Sequence, residues 1–511
     1  MPVRLLPRSS QPAPPHPAGL ASTAAGPSGV RPARRQLDWT LAAAPAATLV
    51  MMLWGIDGPS YWRDEADTVS AISRSFPQLI RLLGHVDAVH GLYYLLLWPV
   101  ARLAGSGEIA TRLPSALAMA AAALGTAAIA RRLVSRRAAL YAGLLFAALP
   151  EVSVQGHDAR PYAMVTAAAV LASYLLIRAA DDPRPARLAG YGMSLVLLGY
   201  LHLFALLLIP AHAIALAALG RKPGRLGRRW LATAAAAGAA ITPLAAIGWA
   251  QRSQIGWIPR PGWHDASQLA ISLAGGTALA AALIGLLAAC GMVRGGGPAP
   301  NGADTGRRLV WLAVPWLVVP PATLLAASAI KPVYYLPYVA FCLPPVALLA
   351  GCCLAALGWP ARMATAALLV VVITPAQLAI RAPDSGGALR PADQILAAQA
   401  QPGDAIVYPQ GGIPPWYLAY PGGFGRPRDI GLRRPGANAG RLYGTSAPLP
   451  LLLRRECRVR RVWAAEIGPQ WRNPAADLAP GFRLLRRWQT GGPMRLWLYQ
   501  HAGPPGQQCR T

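Results

Sequence analysis

Long apolar segments, separated by short stretches rich in arginine, fill the first three quarters of the chain. Segments 111–130, 138–150, 161–177 and 309–330 carry almost no charged side chain. About 20 helical residues are needed to cross a hydrocarbon core of about 30 Å, and a water-soluble protein has no way to bury so many segments of this length. The pattern therefore predicts an α-helical polytopic membrane protein.

The same pattern predicts about eleven membrane-spanning helices and one helix along the membrane surface. Segment 92–104 contains Pro99 and Arg102 and is too short to span comfortably, which favours an interfacial helix. The predicted spans are 37–56, 111–130, 138–152, 162–179, 188–200, 203–219, 230–250, 268–293, 309–329, 334–356 and 362–380.

Arginines in the short loops set the predicted orientation, because basic loops stay on the cytoplasmic side. Arg31, Arg34 and Arg35 precede the first span and place the N-terminus in the cytoplasm. With 92–104 at the outer interface, the basic short loops downstream also fall in the cytoplasm. The outer face then receives loops 57–110, 153–161 and 251–267, a short fourth loop at 330–333, and the region 384–511.

Three regions follow: a disordered cytoplasmic tail at 1–36, a transmembrane module at 37–383 and an extracytoplasmic domain at 384–511. The tail is rich in Pro, Ala, Ser and Arg and has no run that could pack. A misplaced start codon is the alternative. The C-terminal region has low hydrophobicity and strand-like runs at Asp404–Tyr408 and Arg495–Tyr499, which predict a small α/β domain.

Composition supports a membrane protein and argues against a nucleic-acid-binding one. Hydrophobic residues make up 54% of the chain and charged residues 13%, against about 25% charged in soluble domains. The formal net charge is +28, but Lys222 and Lys331 are the only lysines among the 48 basic residues. Such a bias is typical of a GC-rich genome, and many of the arginines lie in short loops where membrane topology explains them.

The cysteines give no sign of a metal site, since the sequence has no CxxC motif or Cys/His cluster. Cys290, Cys342, Cys352 and Cys353 lie in apolar segments, where cysteine behaves as a small hydrophobic residue. Cys457 and Cys509 lie in the predicted outer domain. They form either one disulfide or two free thiols.

The first outer loop begins with YWRDEADT, which places Asp64, Glu65 and Asp67 just beyond the first span. Acidic residues so close to a bilayer are costly unless they have a partner or a function. Adjacent carboxylates suit general-base chemistry on a hydroxyl, or the holding of a cation. The alternative is that they open an interfacial helix at 65–82 and stabilise its positive end.

Other polar residues are predicted to lie at the same face of the membrane. His157 and Asp158, in QGHDARPYA, fall in the second long outer loop, although Asp158 followed by Pro161 also suits a helix start. Asp87 and His90 precede the interfacial helix, where they either position a substrate or cap the helix.

Lys331 opens an outer segment that continues with Tyr334, Tyr335 and Tyr338. A cation at this interface could bind a lipid phosphate. An ordinary helix-end lysine that extends toward water is the alternative.

Several ordered segments resemble the bacterial GT-C glycosyltransferases of the protein-mannosyltransferase and aminoarabinose-transferase type, including glycosyltransferase family 39. The resemblance covers about residues 57–165, and the remaining spans in architecture only. The segments are YWRDEADT, DAVHGLYYLLLW, GEIATRLPSAL, RRLVSRRAALYAGLLFAALP and QGHDARPYAM.

The resemblance implies an inverting, mannosyltransferase-like enzyme of the cytoplasmic membrane. Its donor would be a polyprenyl-phosphate-linked sugar, and its acceptor an envelope glycan, glycolipid or protein on the outer face. Asp64 would be the catalytic base with Glu65 beside it, and Asp158 would be the second-loop acid. No fixed cofactor is implied. A divalent cation, where one is used, would be held by Asp64, Glu65 and Asp158.

The resemblance also implies residues that bind the substrates. His90 matches the histidine of the usual DxHPPLYY pattern, although Gly91 stands where proline is common. Relatives often carry an arginine–tyrosine pair late in the chain. Because Pro337–Tyr338 stands there instead, binding of the carrier phosphate would rest on Lys331.

Two other functions remain open from the sequence. A transporter or flippase of a lipid-linked precursor would carry charged residues near the bilayer midplane, often in inverted repeats, whereas the acids here lie in outer loops. A non-catalytic envelope-assembly protein would leave Asp64, Asp158 and Lys331 on unrelated surfaces.

Overall fold

A computed structural model gives the fold of most of the chain. It describes residues 38–218, 224–296, 305–383, 385–409, 414–446, 459–467, 481–490 and 494–502. The predicted tail at 1–36 and the two outer cysteines, Cys457 and Cys509, lie outside the described residues.

The helices up to residue 380 form the membrane module and its outer loops. They are α1 (Trp39–Leu53), α2 (Arg63–Ile72), α3 (Phe76–His85), α4 (Gly91–Ala104), α5 (Glu108–Leu133), α6 (Arg136–Ala148), α7 (Pro150–Gly156), α8 (Tyr162–Asp181), α9 (Pro185–Leu201), α10 (Leu208–Ala218), α11 (Arg225–Ala250), α12 (Trp263–Leu273), α13 (Ala278–Gly296), α14 (Thr305–Ile330), α15 (Leu343–Ala356) and α16 (Trp359–Ile380). Short 3₁₀ segments lie at Ala88–His90, Leu203–Leu207, Arg252–Ile255 and Leu336–Cys342.

Seven helical segments in the described part are long and apolar enough to cross a membrane, and an eighth forms if α6 and α7, bent by 64°, are one span. Two shorter apolar helices, Trp39–Leu53 and Leu203–Ala218, coincide with further predicted spans. The polytopic helical fold class is therefore confirmed. The seven are Glu108–Leu133, Tyr162–Asp181, Arg225–Ala250, Ala278–Gly295, Gly306–Ile330, Leu336–Ala356 and Trp359–Ile380.

Three predicted helices are interrupted, the first of them being 138–152, which bends by 64° between α6 and α7. The segment 268–293 is not one span, because α12 ends at Leu273 and α13 begins at Ala278, with Gly275 and Gly276 at positive φ between them. The interfacial helix expected at 65–82 is likewise two helices, α2 and α3. At the start of α3 the Ser75 amide donates to Gln78 Oε1 over 3.2 Å, as in a capping box.

The core of the membrane module is built largely from small residues. Ala44 of α1, Ala127 of α5 and Ala142 of α6 are fully buried together in one cluster. Small side chains let helix backbones approach closely, which is how helices gain packing energy in a bilayer, where burial from water supplies little.

The C-terminal region is a small α/β domain, as predicted. Its five-stranded sheet has the order β2-β1-β5-β7-β6, with β1 parallel to β2 and β5, and β7 antiparallel to β5 and β6. Strands β3 and β4 form a separate antiparallel pair. The helices are α17 (Leu389–Gln399), α18 (Trp416–Ala419), α19 (Pro421–Phe424) and α20 (Gly436–Ala439), and the strands are β1 (Ala405–Val407), β2 (Arg428–Asp429), β3 (Leu432–Arg434), β4 (Thr445–Ser446), β5 (Arg461–Ile467), β6 (Phe482–Gln489) and β7 (Met494–His501).

The C-terminal domain packs directly on the first outer loop. The Gly387 amide donates to Ser60 O over 3.1 Å, and a Cβ at Gly387 would lie 1.8 Å from Tyr61 O, so glycine is required there. Arg390 forms a salt bridge with Glu108. The buried cluster shared by loop and domain includes Tyr61, Ala66, Val69, Leu389, Leu396 and Trp463.

Candidate active site

Helix α2 presents three carboxylates within its first five residues: Asp64, Glu65 and Asp67. The Trp62 amide, just before the helix, donates to Glu65 Oε2 over 3.3 Å. Carboxylates in a first turn also interact favourably with the positive end of the helix dipole. Asp64 and Glu65 therefore do lie in the first turn of a helix, as the alternative interpretation predicts. The three carboxylates nevertheless have different surroundings.

Glu65 is a buried structural anchor. It forms a two-pronged ion pair with Arg112 of α5, with Nε–Oε1 and Nη2–Oε2 distances of 2.9 Å. Arg112 Nη1 donates to Ile56 O and Pro59 O, and the Ala159 amide donates to Glu65 Oε1, each over 2.9 Å. Because its oxygens are engaged and it is 1% exposed, Glu65 is poorly placed to act on a substrate.

Asp64 is the half-buried neighbour, and its carboxylate has no hydrogen bond or ion pair to any of the described residues. It interacts electrostatically with Arg160 of the second outer loop, and with Tyr335 and Tyr338 from the segment after Lys331. The Asp64 carbonyl accepts from Arg160 Nη1 over 3.4 Å. A carboxylate whose oxygens accept no hydrogen bond from the described residues is available to take a proton from a hydroxyl within hydrogen-bond distance, which is the geometric requirement for a general base.

Asp67 lies one turn further along α2. Its Oδ2 accepts from the hydroxyl of Tyr443, in the C-terminal domain, over 3.1 Å, while its buried Oδ1 has no partner among the described residues. Tyr443 also accepts from Arg63 Nε over 2.9 Å. Burial, with the nearby charge of Asp64, raises the pKa of Asp67 from its ordinary value of 3.8 to about 7.

Asp87 and His90 form a hydrogen-bonded chain with Arg160. His90 Nδ1 lies 2.6 Å from Asp87 Oδ1, and Arg160 Nη2 lies 3.2 Å from His90 Nε2. Because a guanidinium can only donate, His90 Nε2 is the acceptor in the contact with Arg160, and Nδ1 faces Asp87. Tyr94 donates to Asp87 Oδ2. Burial opposes the charge of Asp87, but His90, Arg160 and Tyr94 together hold its pKa below the usual range.

Asp87 also has the one positive φ of a non-glycine residue in the described ranges, +64°. Such a conformation is uncommon and is retained where the surroundings enforce it. Here the Asp87 amide donates to Gln254 Oε1 over 3.0 Å, from the third outer loop. The backbone therefore holds the Asp87 carboxylate toward His90 and Arg160.

The second outer loop contributes Asp158 and His157 in different ways. Asp158 Oδ1 accepts from Trp62 Nε1 over 3.0 Å, so it faces the start of α2 and does not cap α8. Burial, followed by the charge of Glu65, raises the pKa of Asp158. His157 instead lies against α1, with Nε2 2.7 Å from Met52 O. Burial lowers the pKa of His157 to about 4.

The tyrosines of the segment after α14 also lie in two different surroundings. Tyr338 packs against His202 with ring centroids 4.8 Å apart, and Tyr335 packs against Tyr338 at 5.4 Å, both on the Asp64 side. Tyr334 interacts electrostatically with Asp265 and Glu151 instead. The Lys331 side chain is exposed and has no salt bridge in the described part of the chain.

Three residues join the site that the sequence did not single out, and Asp67, predicted to lie just beyond the first span, joins it as well. Arg112 and Arg160 stand inside the quoted segments GEIATRLPSAL and QGHDARPYAM, so the signal for them was present. Tyr443 has no local signal, because it is separated from Asp67 by 376 residues.

The residues present do not form an obvious metal site. No group of three or more His, Cys, Asp or Glu side chains able to hold a metal occurs in the described ranges. Of the three predicted ligands, Glu65 is paired with Arg112 and Asp158 accepts from Trp62.

Comparison with known proteins confirms the GT-C fold. Residues 92–249 match the family described as dolichyl-phosphate-mannose-protein mannosyltransferase; this range includes Arg112 and Asp158 but not Asp64. The crystal structure of ArnT from Cupriavidus metallidurans in the apo state is similar, with a TM-score of 0.59 at 12% identity, over 91% of this chain and 99% of that one.

A second ArnT structure from the same organism, bound to undecaprenyl phosphate, is also similar. Its TM-score is 0.55 at 13% identity, over 90% of this chain and 97% of that one. No curated protein matches at the sequence level. The resemblance seen in the sequence is thus confirmed at the level of fold, and the family match supports a membrane glycosyltransferase.

Proposed function

We propose that this chain is a GT-C membrane glycosyltransferase that moves a sugar from a polyprenyl-phosphate carrier to an acceptor hydroxyl at the outer face of the cytoplasmic membrane. The observation that carries the proposal is the environment of Asp64. Neighbouring Glu65 is tied to Arg112, whereas Asp64 is partly exposed beside Arg160 with its carboxylate free among the described residues. The family match and the fold similarity support the same class of reaction.

In this proposal Asp64 takes the proton of the acceptor hydroxyl as its oxygen attacks the anomeric carbon of the sugar. The bond from that carbon to the carrier phosphate breaks, and attack from the opposite side inverts the configuration. The leaving group is the polyprenyl phosphate. Its long lipid remains in the bilayer while its phosphate reaches the outer interface.

Arg160 is the buried cation best placed to offset the charge of the leaving phosphate. It is 5% exposed, and its Nε has no partner in the described part of the chain. The Asp87–His90 pair holds Arg160 in place through Nη2. Lys331, at the exposed end of α14, would attract the carrier phosphate from the interface. The sugar could be mannose-like or a pentose, and the acceptor an envelope glycan, glycolipid or protein.

The test is complementation of a deletion strain with wild type, Asp64→Asn or Asp57→Asn at matched membrane expression. Asp57 is an exposed carboxylate in the same loop, so Asp57→Asn controls for loss of a charge. Mass spectrometry of envelope glycans and glycolipids should show one sugar restored by wild type and Asp57→Asn, but not by Asp64→Asn. Full restoration by Asp64→Asn would remove the catalytic role and favour transport of a lipid-linked precursor.

A further inference from the structure

A cavity of about 150 Å³ lies between the first outer loop and the C-terminal domain. It is separate from Asp64 and is lined by Ser70, Ser73, Arg74 and Gln78 on one side. The other side comes from the C-terminal domain and includes Pro415, Tyr417, Leu432, Ala437, Leu442 and Gly444. By this measure a single water needs only about 10–15 Å³, so the cavity can admit a larger polar group.

Arg74 places a buried positive charge at the wall of this cavity. The residue is 4% exposed, and no salt bridge pairs it with a carboxylate among the described residues. Nε donates to Ser70 O over 3.2 Å and Nη2 donates to Arg441 O over 2.6 Å, but Nη1 is buried without a partner. A buried cation with an unused donor is costly unless an anion compensates it, and burial correspondingly lowers the pKa of Arg74.

Arg74 is held both at its backbone and at its guanidinium. The Arg74 carbonyl accepts from Trp98 Nε1 over 2.9 Å and also from Arg102 of α4, and the carbonyls of Ser70 and Arg441 orient the guanidinium. An arginine fixed in this way presents its planar donors in one orientation, which suits an oxyanion.

The cavity is connected to the candidate active site along one surface of α2. Residues 441–443, which lie between α20 and β4, run over this helix. Arg441 O accepts from Arg74, and the Tyr443 hydroxyl contacts Asp67 and Arg63. Asp64 lies in the first turn of α2 and Arg74 lies two residues beyond its end at Ile72, so the two residues are near opposite ends of a helix about 15 Å long.

We propose that this cavity, here called the Arg74 pocket, binds a phosphate or carboxylate group of the acceptor, and that the C-terminal domain thereby selects acidic acceptors. The inference rests on the proposed transferase function, because it assigns the pocket to the acceptor. An acceptor anchored at Arg74 would extend along α2 and present a hydroxyl to Asp64 near the other end of this helix. The uncharged part of the acceptor would lie along the seam between α2 and residues 441–443.

The experiment measures anion binding directly and does not depend on turnover. Thermal unfolding of the purified full-length protein in detergent is followed while inorganic phosphate, acetate or chloride is added at constant ionic strength. Phosphate or acetate should raise the unfolding temperature of wild type beyond the effect of chloride. In Arg74→Gln the concentration for half of this effect should increase at least tenfold.

Two matched variants separate the pocket from general charge effects. Arg81→Gln removes an exposed cation from neighbouring α3 and should respond like wild type, as should Asp64→Asn, which removes the proposed base. Because Arg74→Gln also loses two backbone contacts, Ala437→Leu provides a second test: it fills the pocket from the C-terminal side with Arg74 intact, and should abolish the anion effect.

Either of two results would overturn the inference: no effect of phosphate or acetate beyond chloride in wild type, or an unchanged effect in both Arg74→Gln and Ala437→Leu. A third arm identifies the source of the anion. Glycerol phosphate should compete with inorganic phosphate. If nanodisc phosphatidylglycerol competes and glycerol phosphate does not, the pocket is a lipid headgroup site and the acceptor assignment is wrong. Full restoration of the sugar by Asp64→Asn, with anion binding retained, would count against the proposed function alone.

Discussion

Glu65 has a structural ion pair, whereas Asp64 has no described partner, so the two carboxylates should differ in what their loss does to stability. Glu65→Gln preserves shape but removes the negative charge that faces Arg112, which is 0% exposed. Breaking a buried ion pair by removing one partner costs about 3–5 kcal/mol, because the remaining charge stays buried without compensation. The hydrogen bond from the Ala159 amide is also weakened, since its acceptor changes from a carboxylate to an amide.

The cost extends beyond one contact, because Arg112 ties four segments together. Its Nη1 holds the carbonyls of Ile56 and Pro59, and Glu65 holds the amide of Ala159. We therefore expect Glu65→Gln to lower the unfolding temperature by several degrees and to reduce the yield of monodisperse protein. Asp64→Asn should unfold within about one degree of wild type, because the described structure gives its carboxylate no partner to lose.

The assay is intrinsic tryptophan fluorescence during heating of detergent-purified protein, combined with size-exclusion chromatography. A double variant, Glu65→Gln with Arg112→Gln, removes both charges but keeps a polar group at each position, and it should be more stable than Glu65→Gln because no unpaired charge stays buried. A Glu65→Gln variant as stable as wild type, or an Asp64→Asn variant that loses as much stability as Glu65→Gln, would show that the two carboxylates do not have these separate roles.

Three further predictions concern neighbouring residues. The pKa of Asp67 rises to about 7 on folding, so between about pH 4 and 7 the folded state binds one proton more than the unfolded state, and stability falls as pH rises through this range. Asp67→Asn should remove this part of the pH dependence of the unfolding temperature. An unchanged pH profile in Asp67→Asn would contradict the prediction. Burial lowers the pKa of His157 to about 4, so the stability that neutral His157 contributes is fully present above about pH 6.5 and is lost as pH falls toward 4. His157→Gln should make the loss of stability between pH 7 and 5 smaller, measured in the same thermal scans. Tyr443→Phe removes the hydroxyl shared by Asp67 and Arg63 and should lower stability by about 1–2 kcal/mol, which unchanged unfolding would contradict.

The local pattern of the chain was enough to predict much of the architecture. Apolar runs with basic flanks predicted the helices, because a segment that must satisfy its backbone hydrogen bonds inside a bilayer has few alternatives to a helix. YWRDEADT placed Asp64 at a helix start beside the membrane, and DAVHGLYY placed Asp87 and His90 ahead of α4. In the structure Asp64 lies in the first turn of α2, and Asp87 and His90 precede α4.

Sequence reasoning failed where a short break decides the outcome. The apolar run 268–293 has the composition of one span, but two glycines at positive φ, Gly275 and Gly276, end the helix in its middle. Hydropathy averages over such a break, because it counts transfer free energy and takes no account of backbone conformation.

The sequence by itself determined the fold class, and it predicted the outer-face location of the acids and Asp64 as the candidate base. Only the tertiary structure decided which of two adjacent carboxylates has no partner among the described residues, because that depends on Arg112, 47 residues away from Glu65. Tertiary structure likewise brought Tyr443 to Asp67 across 376 residues and buried Arg74 with no salt bridge to any residue that the structure describes. Contacts of this kind arise from how distant segments pack, and neither hydropathy nor a local motif encodes that information.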